Sequence, residues 1–259
     1  MSQETLKTHL EEAFAKNIRT DGRKLLEFRN ITIDRGVSST AHGSARVRAG
    51  NAEIIAGVKI DVGTPYPDTP DEGALMVNAE FLAMSHRKHE GGRPGIDSIE
   101  TARVIDRTIR ESKSIDVKKL CLIPGEKILM VSVDIVPIAY DGNMIDLGTI
   151  AAMAALQDAR IPTVHEDGSV DYENLTENPV PLSHLPIAVT VFKYDDMLVV
   201  DPTEVEERYY DARLTVGTLD DGTPCALQKG GSASFTVEEI EEIISLAQKK
   251  GDELRGLLK

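Results

Sequence analysis

The sequence predicts an α+β chain with helices packed on mixed sheets, and three observations carry that reading. Strand-like runs follow one another through short turns, so hairpins dominate over strict β-α-β alternation. Amphipathic helical patterns frame the chain at both ends and recur twice between. The 259 residues are 41% hydrophobic, which suits one large domain with a substantial core and excludes a disordered chain.

Leu6, Leu10, Phe14 and Ile18 recur at helical spacing, which predicts an amphipathic helix over 3–17. Thr20-Asp21-Gly22 is turn chemistry. Strands are predicted at 30–37, 43–50 and 52–60, with Gly50-Asn51 as a tight hairpin. The three prolines of 64–73 impose an extended loop. A strand is expected over 74–84, then a basic, Gly-rich loop over 85–95 and a helix over 96–112. In the strand predicted at 126–140, alternation sets Ile128, Met130, Ser132 and Asp134 against Leu129, Val131, Val133 and Ile135.

A helix follows over about 144–159 and stops near Pro162; its alanines suit close packing on a sheet. The polar stretch 163–184 reads as an excursion that divides a single domain, 1–259, into two pseudo-halves. Strands are then predicted at 187–194, 197–201, 211–219 and 223–230. A last helix begins at Thr236, where Thr236-x-x-Glu239 forms a capping box and Ile240, Ile243, Ile244 and Ala247 form the buried stripe.

The formal net charge of −14 argues against nucleic-acid binding over the whole surface. It leaves room for a local basic groove and fits a subunit whose acidic face meets a basic partner. Few stacking platforms are expected, because the chain has no Trp and is 4% aromatic. No apolar run reaches the ~18 residues of a membrane span, and the N-terminus lacks the apolar stretch of a signal peptide, so a cytoplasmic protein without a membrane partner is expected. Cys121 and Cys225 stand outside any metal-ligand spacing and read as reduced thiols. There is no GxxxxGK[ST], GxGxxG or HExxH pattern, and no cofactor or metal is expected. His86 and His89 read as members of a solvated loop rather than a metal pair.

Three stretches bear on chemistry. Tyr140-Asp141-Gly142-Asn143 opens a helix, where unpaired backbone N–H groups favour anions, yet Met144 and Ile145 follow and can grip nothing charged. In the helix over 96–112, Arg103, Arg107 and Arg110 share one face while Ala102, Ile105 and Ile109 share a roughly opposite one. That ridge either binds phosphate through planar guanidinium forks or is a solvated face paired with Asp106 and Glu111. After the strand ending on Asp201 come Glu204, Glu206, Glu207 and Asp211, a carboxylate cluster suited to Mg²⁺ or to a general acid, or a polar loop started by Pro202.

Together these stretches resemble the RNase PH family. IRTDGRKLLEFRNITIDRGV (18–37) resembles the family's Arg-x-Asp-Gly-Arg entry, matched by Arg19, Asp21, Gly22, Arg23 and Arg29. HGSARVRAGNAEIIAGV (42–58) is similar to its Gly-Ser-Ala hairpin, and residues 141–162 to the helix ending in Ala-Leu-x-Asp-Ala-x-Ile-Pro. VVDPTEVEERYYDARLTV aligns with the segment that carries the family's acids. The resemblance spans nearly the whole chain and implies the RNase PH-like fold, with a ribosomal protein S5 domain 2-like β-α-β core.

Phosphorolytic members of the family place an arginine in a Gly-Thr-Arg turn on the attacking phosphate and use two aspartates six residues apart. Here the turn is Gly142, Asn143, Met144, and the acids fall on Asp201 and Glu207. A Met cannot supply guanidinium donors. The pattern resembles the non-catalytic RNase PH-type subunit of the archaeal exosome. That resemblance implies a 3+3 hexameric ring with a catalytic RNase PH-type subunit, cap proteins with S1 and KH or zinc-ribbon domains, and single-stranded RNA as ligand. It further implies that the chain shapes its partner's active site and is no enzyme alone, with Arg103, Arg107 and Arg110 as RNA contacts. The alternative is an active phosphate-dependent 3′→5′ exoribonuclease that uses Asp201 and Glu207 and borrows Arg87 or Arg93 for phosphate. A homo-oligomeric tRNA-trimming protein of the bacterial type is disfavoured by Met144 and by the N-terminal helix.

Overall fold

A computed structural model describes residues 3–165 and 170–259. The first helix, α1 (Gln3–Phe14), is shorter than the predicted 3–17. It ends because Asn17 takes a left-handed backbone, and Ile18, the expected fourth member of the apolar stripe, is exposed. Leu10 and Phe14 are buried, and the Phe14 ring meets Tyr194 edge-on at 5.1 Å.

The N-terminal half builds one sheet from β1 (Ile31–Arg35), β2 (Gly43–Ala49), β3 (Ala52–Gly63), β4 (Ala74–Ala79), β5 (Cys121–Ile123) and β6 (Lys127–Ala139). Its main path runs β1-β2-β3-β6-β4, with β4 parallel to β6 and the other pairs antiparallel. The expected alternation holds along most of β6, with Leu129, Val131, Val133 and Ile135 buried and Asp134 exposed, but Ile128, expected on the Asp134 side, is buried as well. The strand predicted over 74–84 stops at Ala79; Glu80 N–H makes the last bond to β6, at the Ile135 carbonyl, and the chain then turns.

Helix α2 (Ile96–Glu111) covers the β4 end of this sheet, and α3 (Met144–Asp158) crosses its inner face. Every residue of α3 from Met144 to Leu156 is buried, as expected of a small-residue helix held between layers. The second sheet, β9 (Ile187–Tyr194), β10 (Met197–Val200), β11 (Ala212–Thr218) and β12 (Pro224–Gly231), is antiparallel in the order β10-β9-β11-β12. It closes the far side of α3 and is covered by α5 (Val237–Arg255), whose predicted capping box is present. A single apolar cluster runs from Val47 and Ile54 through α3 to Val189, Val216 and Ile243, so both sheets share one core.

The short strand β5, a hairpin after α3 and one helical turn escaped the sequence. The polar stretch after α3 folds as a hairpin of β7 (Arg160–Val164) and β8 (Val170–Pro179), tied by Thr176 Oγ1 donating to the Ile161 carbonyl. Residues 166–169 of that predicted excursion lie outside the described residues, as do residues 1–2. A single helical turn, α4 (Glu204–Glu207), follows Pro202 and is capped by Thr203 and Glu206.

Candidate functional site

The site forms where β10, α4, the α3 N-terminus and α2 converge. Asp201 follows β10, which stops at Val200 rather than at the predicted 201, in a left-handed conformation (φ +46°) with none of its surface exposed. Its carboxylate accepts from Arg29 N (2.7 Å), Arg29 Nε (2.9 Å) and Arg29 Nη2 (2.7 Å). Arg23 Nη1 and Asn143 Nδ2 each donate at 2.9 Å. Burial alone would raise this carboxyl's pKa, but the Arg29 hydrogen bonds and charge outweigh it and hold the group below its ordinary range.

Beside it the buried Arg19 guanidinium pairs with Glu206, with Nε–Oε1 at 3.0 Å, and donates to the Val200 carbonyl at 3.0 Å and the Asp201 carbonyl at 2.8 Å. Asp201 and Glu206 are therefore fully engaged in a buried charge network that joins the N-terminal entry to the second sheet.

The turn that opens α3 is filled by the protein itself. Gly142 has φ +78°, and a Cβ there would lie 2.4 Å from the Pro202 carbonyl oxygen, so only glycine fits against α4. Arg29 Nη1 donates to the Asp141 carbonyl at 2.7 Å, and Glu204 N–H donates to Asp141 Oδ1 at 3.2 Å. Asn143 is the N-cap, in a left-handed conformation, yet its side chain caps nothing and reaches Asp201 instead. The anion at this helix N-terminus is Glu207: it accepts from Asn143 N–H at 3.4 Å and from the Tyr140 hydroxyl at 2.7 Å. Desolvation raises the Glu207 pKa, and the nearby carboxylate and burial push the Tyr140 phenol far up. Met144 is buried behind this turn.

A cavity of about 210 Å³ opens in front of Glu207. Its apolar walls are Phe81, Tyr140, Phe192 and Tyr210, with Met144 and Ile145 at its base. Its charged groups are Asp97, Glu100, Glu207 and Arg213. Arg213 pairs with Glu100 at 2.6 Å, so three carboxyl groups share one lining arginine and the cavity is net acidic. A phosphate would meet repulsion here rather than a clamp. Asp201, predicted to share a site with Glu207, does not line the cavity; α4 turns the two acids apart, Asp201 toward Arg29 and Glu207 toward the opening. Arg87 and Arg93 lie on the exposed loop and do not line it either.

The arginine ridge has the predicted orientation: Arg103, Arg107 and Arg110 are exposed, while Ala102, Ile105 and Ile109 are buried. The three side chains differ in freedom. Arg110 is held by Asp106 (Nη2–Oδ1 2.7 Å) and by the Leu75 carbonyl (2.8 Å), the intrahelical pairing that the sequence left open. Arg107 donates to the Gln228 side chain at 3.1 Å, an exposed contact, and Arg103 has no partner among the described residues.

The His86 and His89 rings meet at a tilt, 5.3 Å apart and 59° between planes, and are engaged by Glu204 (3.1 Å) and Ser85 (2.8 Å) respectively. Among the described residues no group of three or more His, Cys, Asp or Glu side chains could hold a metal ion. Cys121 and Cys225 are free thiols, and burial pushes Cys225 up to about 11. No described helix is long and apolar enough to cross a membrane.

In the sequence Arg19, Arg23 and Arg29 stand only as marks of resemblance. Their role in clamping Asp201 and Glu206 was hidden by separations of more than 170 residues. The available signal was three arginines in eleven residues before a strand, cations that need carboxylates once buried.

Comparison with known proteins agrees with this architecture. Residues 27–162 match the model of the 3′ exoribonuclease family, domain 1, and residues 184–250 match its domain 2. The chain is 43% identical over 237 residues to the exosome complex component Rrp42 of Methanothermobacter thermautotrophicus, covering 91% of this chain and 88% of that protein. It is 44% identical to the Thermoplasma acidophilum protein of the same name, over 92% and 88% of the two chains. Among solved structures, a chain of the Archaeoglobus fulgidus exosome with RNA bound to the active site superposes with a TM-score of 0.92 at 35% identity, covering 99% of each chain. The chain belongs to the RNase PH family of 3′ exoribonucleases and has the RNase PH-like fold.

Proposed function

We propose that this chain is the non-catalytic RNase PH-type subunit of an archaeal exosome, a cytoplasmic assembly that degrades RNA 3′→5′ by phosphorolysis. The relatives named Rrp42 and the likeness to exosome chains support membership of such an assembly. The observation that carries the non-catalytic reading is the self-filled turn at the α3 N-terminus. Met144 stands where phosphorolytic relatives place an arginine, and Glu207 already occupies the helix N-terminus that would take phosphate. Asp201, with five donors on its carboxylate, has no lone pair left for substrate.

In this reading the chain alternates with a catalytic RNase PH-type subunit in a 3+3 ring, under a cap of S1, KH or zinc-ribbon proteins. It shapes the partner's active site and holds single-stranded RNA by its backbone. Arg103 and Arg107 carry the RNA contact, because their guanidiniums are exposed and lightly engaged; Arg110, spent on Asp106, contributes less. Backbone contacts give little base specificity. The test is to incubate the chain with RNA and inorganic phosphate, alone and with the catalytic partner. Nucleoside diphosphates are expected only from the mixture, and their release by the chain alone overturns the reading.

One observation favours an active enzyme: Glu207 is a carboxyl of raised pKa beside a cavity, as a general acid would be. Arg213, the cation lining that cavity, is already paired with Glu100, so that reading lacks a free cation for phosphate there. Glu207→Gln in the assembled complex separates the two, since an acid catalyst's loss would cut turnover by orders of magnitude.

A further inference from the structure

Tyr66 is 60% exposed, and of the chain's six Tyr and five Phe residues it is the only one exposed among the described residues. A lone apolar side chain on a surface needs no explanation. Two features set this one apart: it is held rigidly, and it stands beside the arginine ridge. Pro65 and Pro67 flank it and restrict the backbone on either side. Pro65 is buried, and the Tyr66 carbonyl accepts from Thr69 N–H at 3.1 Å. Further along the loop the Pro70 carbonyl accepts from Gly125 N–H at 2.7 Å, and Gly73 N–H donates to the Val117 carbonyl at 2.8 Å. The ring is therefore presented by a braced loop, and little freedom remains to be lost on binding.

The same loop leads into β4, and the Leu75 carbonyl of β4 holds Arg110 at 2.8 Å. Arg110 and the Tyr66 hydroxyl also interact electrostatically, which puts the ring at the Arg110 end of the ridge. Arg103 and Arg107 share that helix face one turn, or about 6 Å, apart, and Arg110 lies about 4.5 Å past Arg107 along the axis. Guanidiniums suit phosphate groups. Asp68, Asp71 and Glu72 on the loop itself repel phosphate, so what meets Tyr66 is an uncharged part of the ligand. A nucleobase is such a part: every base has a π-face and stacks on an aromatic ring with little regard to sequence. A protein surface is the rival occupant, since Leu122 and Ile123 of β5 are exposed as well. Three arginines in register beside Tyr66 favour a polyanion instead.

We propose that Tyr66 is a stacking platform for one base of single-stranded RNA, whose neighbouring phosphates run along Arg107 and Arg103. The proposal rests on the reading of this chain as an RNA-holding subunit. It adds a base contact to an interface that otherwise touches only the backbone.

The test titrates labelled oligoadenylate into the complex reconstituted with the catalytic subunit, in phosphate-free buffer so that the strand stays intact. Tyr66→Ala should weaken binding about 5- to 150-fold, the range of one base–aromatic stack. Its salt slope should match the parent's, because no charge is lost. Tyr66→Phe keeps the ring and should bind like the parent. An abasic strand of the same length should bind the parent and Tyr66→Ala alike. Equal affinity of the parent and Tyr66→Ala for oligoadenylate overturns the proposal, as does an equal loss on the abasic strand. Weaker assembly of Tyr66→Ala with the catalytic subunit, at unchanged RNA affinity once assembled, assigns the face to a protein partner and also overturns it. If charge removal at Arg103 and Arg107 weakens RNA binding while Tyr66→Ala does not, only the platform fails. If neither change weakens it, the RNA-holding reading fails as well.

Discussion

Replacing Asp201 by Asn removes one charge from the most heavily bonded carboxylate of the site. Its two oxygens accept from Arg29 three times, from Arg23 once and from Asn143 once, all at 2.7–2.9 Å. An amide offers a single acceptor oxygen and turns an NH₂ group toward the remaining donors. The Arg29 guanidinium, only 6% exposed, keeps its bond to the Asp141 carbonyl at 2.7 Å, but its nearest remaining carboxylate is Asp141 at 3.4 Å. Breaking a buried pair by removing one partner costs about 3–5 kcal/mol. For a chain of this length that corresponds to a fall in Tm of roughly 6–20 °C. Thermal and urea unfolding of the purified chain measure it directly. The sign is informative, because a carboxylate kept strained for catalysis tends to stabilise the fold when it is neutralised. An Asp201→Asn variant as stable as the parent, or more so, would refute the assignment of Asp201 to a structural clamp.

Other perturbations report on different parts of the account. Charge removal at Arg103 and Arg107 together should weaken RNA binding by the complex and flatten its salt dependence by about 1.4 in log–log slope, at ~0.7 per single-strand phosphate contact; an unchanged slope would remove both from the RNA surface. Burial pushes the Asp146 carboxyl up to about 7 from ~3.9 in the unfolded chain. Its contribution to stability is present below the unfolded value and is lost as pH rises through about 7, a loss of up to about 4 kcal/mol. Asp146→Asn should therefore gain on the parent in urea unfolding between pH 5 and pH 8, and parallel pH profiles would contradict this. Gly43→Ala would place a Cβ 2.4 Å from the backbone of Ala159; the forced separation of β2 from the end of α3 should cost roughly 1–3 kcal/mol, read as a lower urea midpoint.

The sequence was most legible where a periodic pattern met a single environment. Alternation along β6, the outward arginines of α2 and the Thr236–Glu239 cap of α5 each follow from local spacing and recur in the structure. It was least legible around residues 200–207. Four acidic residues and a capping Thr203 there look like a polar loop, but one helical turn sends Glu206 inward to Arg19 and Glu207 into the cavity, since adjacent residues on a helix point about 100° apart. The partners that decide their roles, Arg19, Arg29 and Tyr140, are distant in sequence. The family resemblance implied a missing phosphate arginine at Met144, yet the filling of the turn by Glu207 needed three dimensions.

The central claim is that this chain supports phosphorolysis without performing it. Reconstitution with a catalytic RNase PH-type subunit measures that most directly: RNA, inorganic phosphate, and the release of nucleoside diphosphates from each protein alone and from the mixture. The account predicts no release by this chain and a rate for the mixture well above that of the partner alone. Phosphorolysis by this chain alone, or a mixture no faster than the partner, would contradict it.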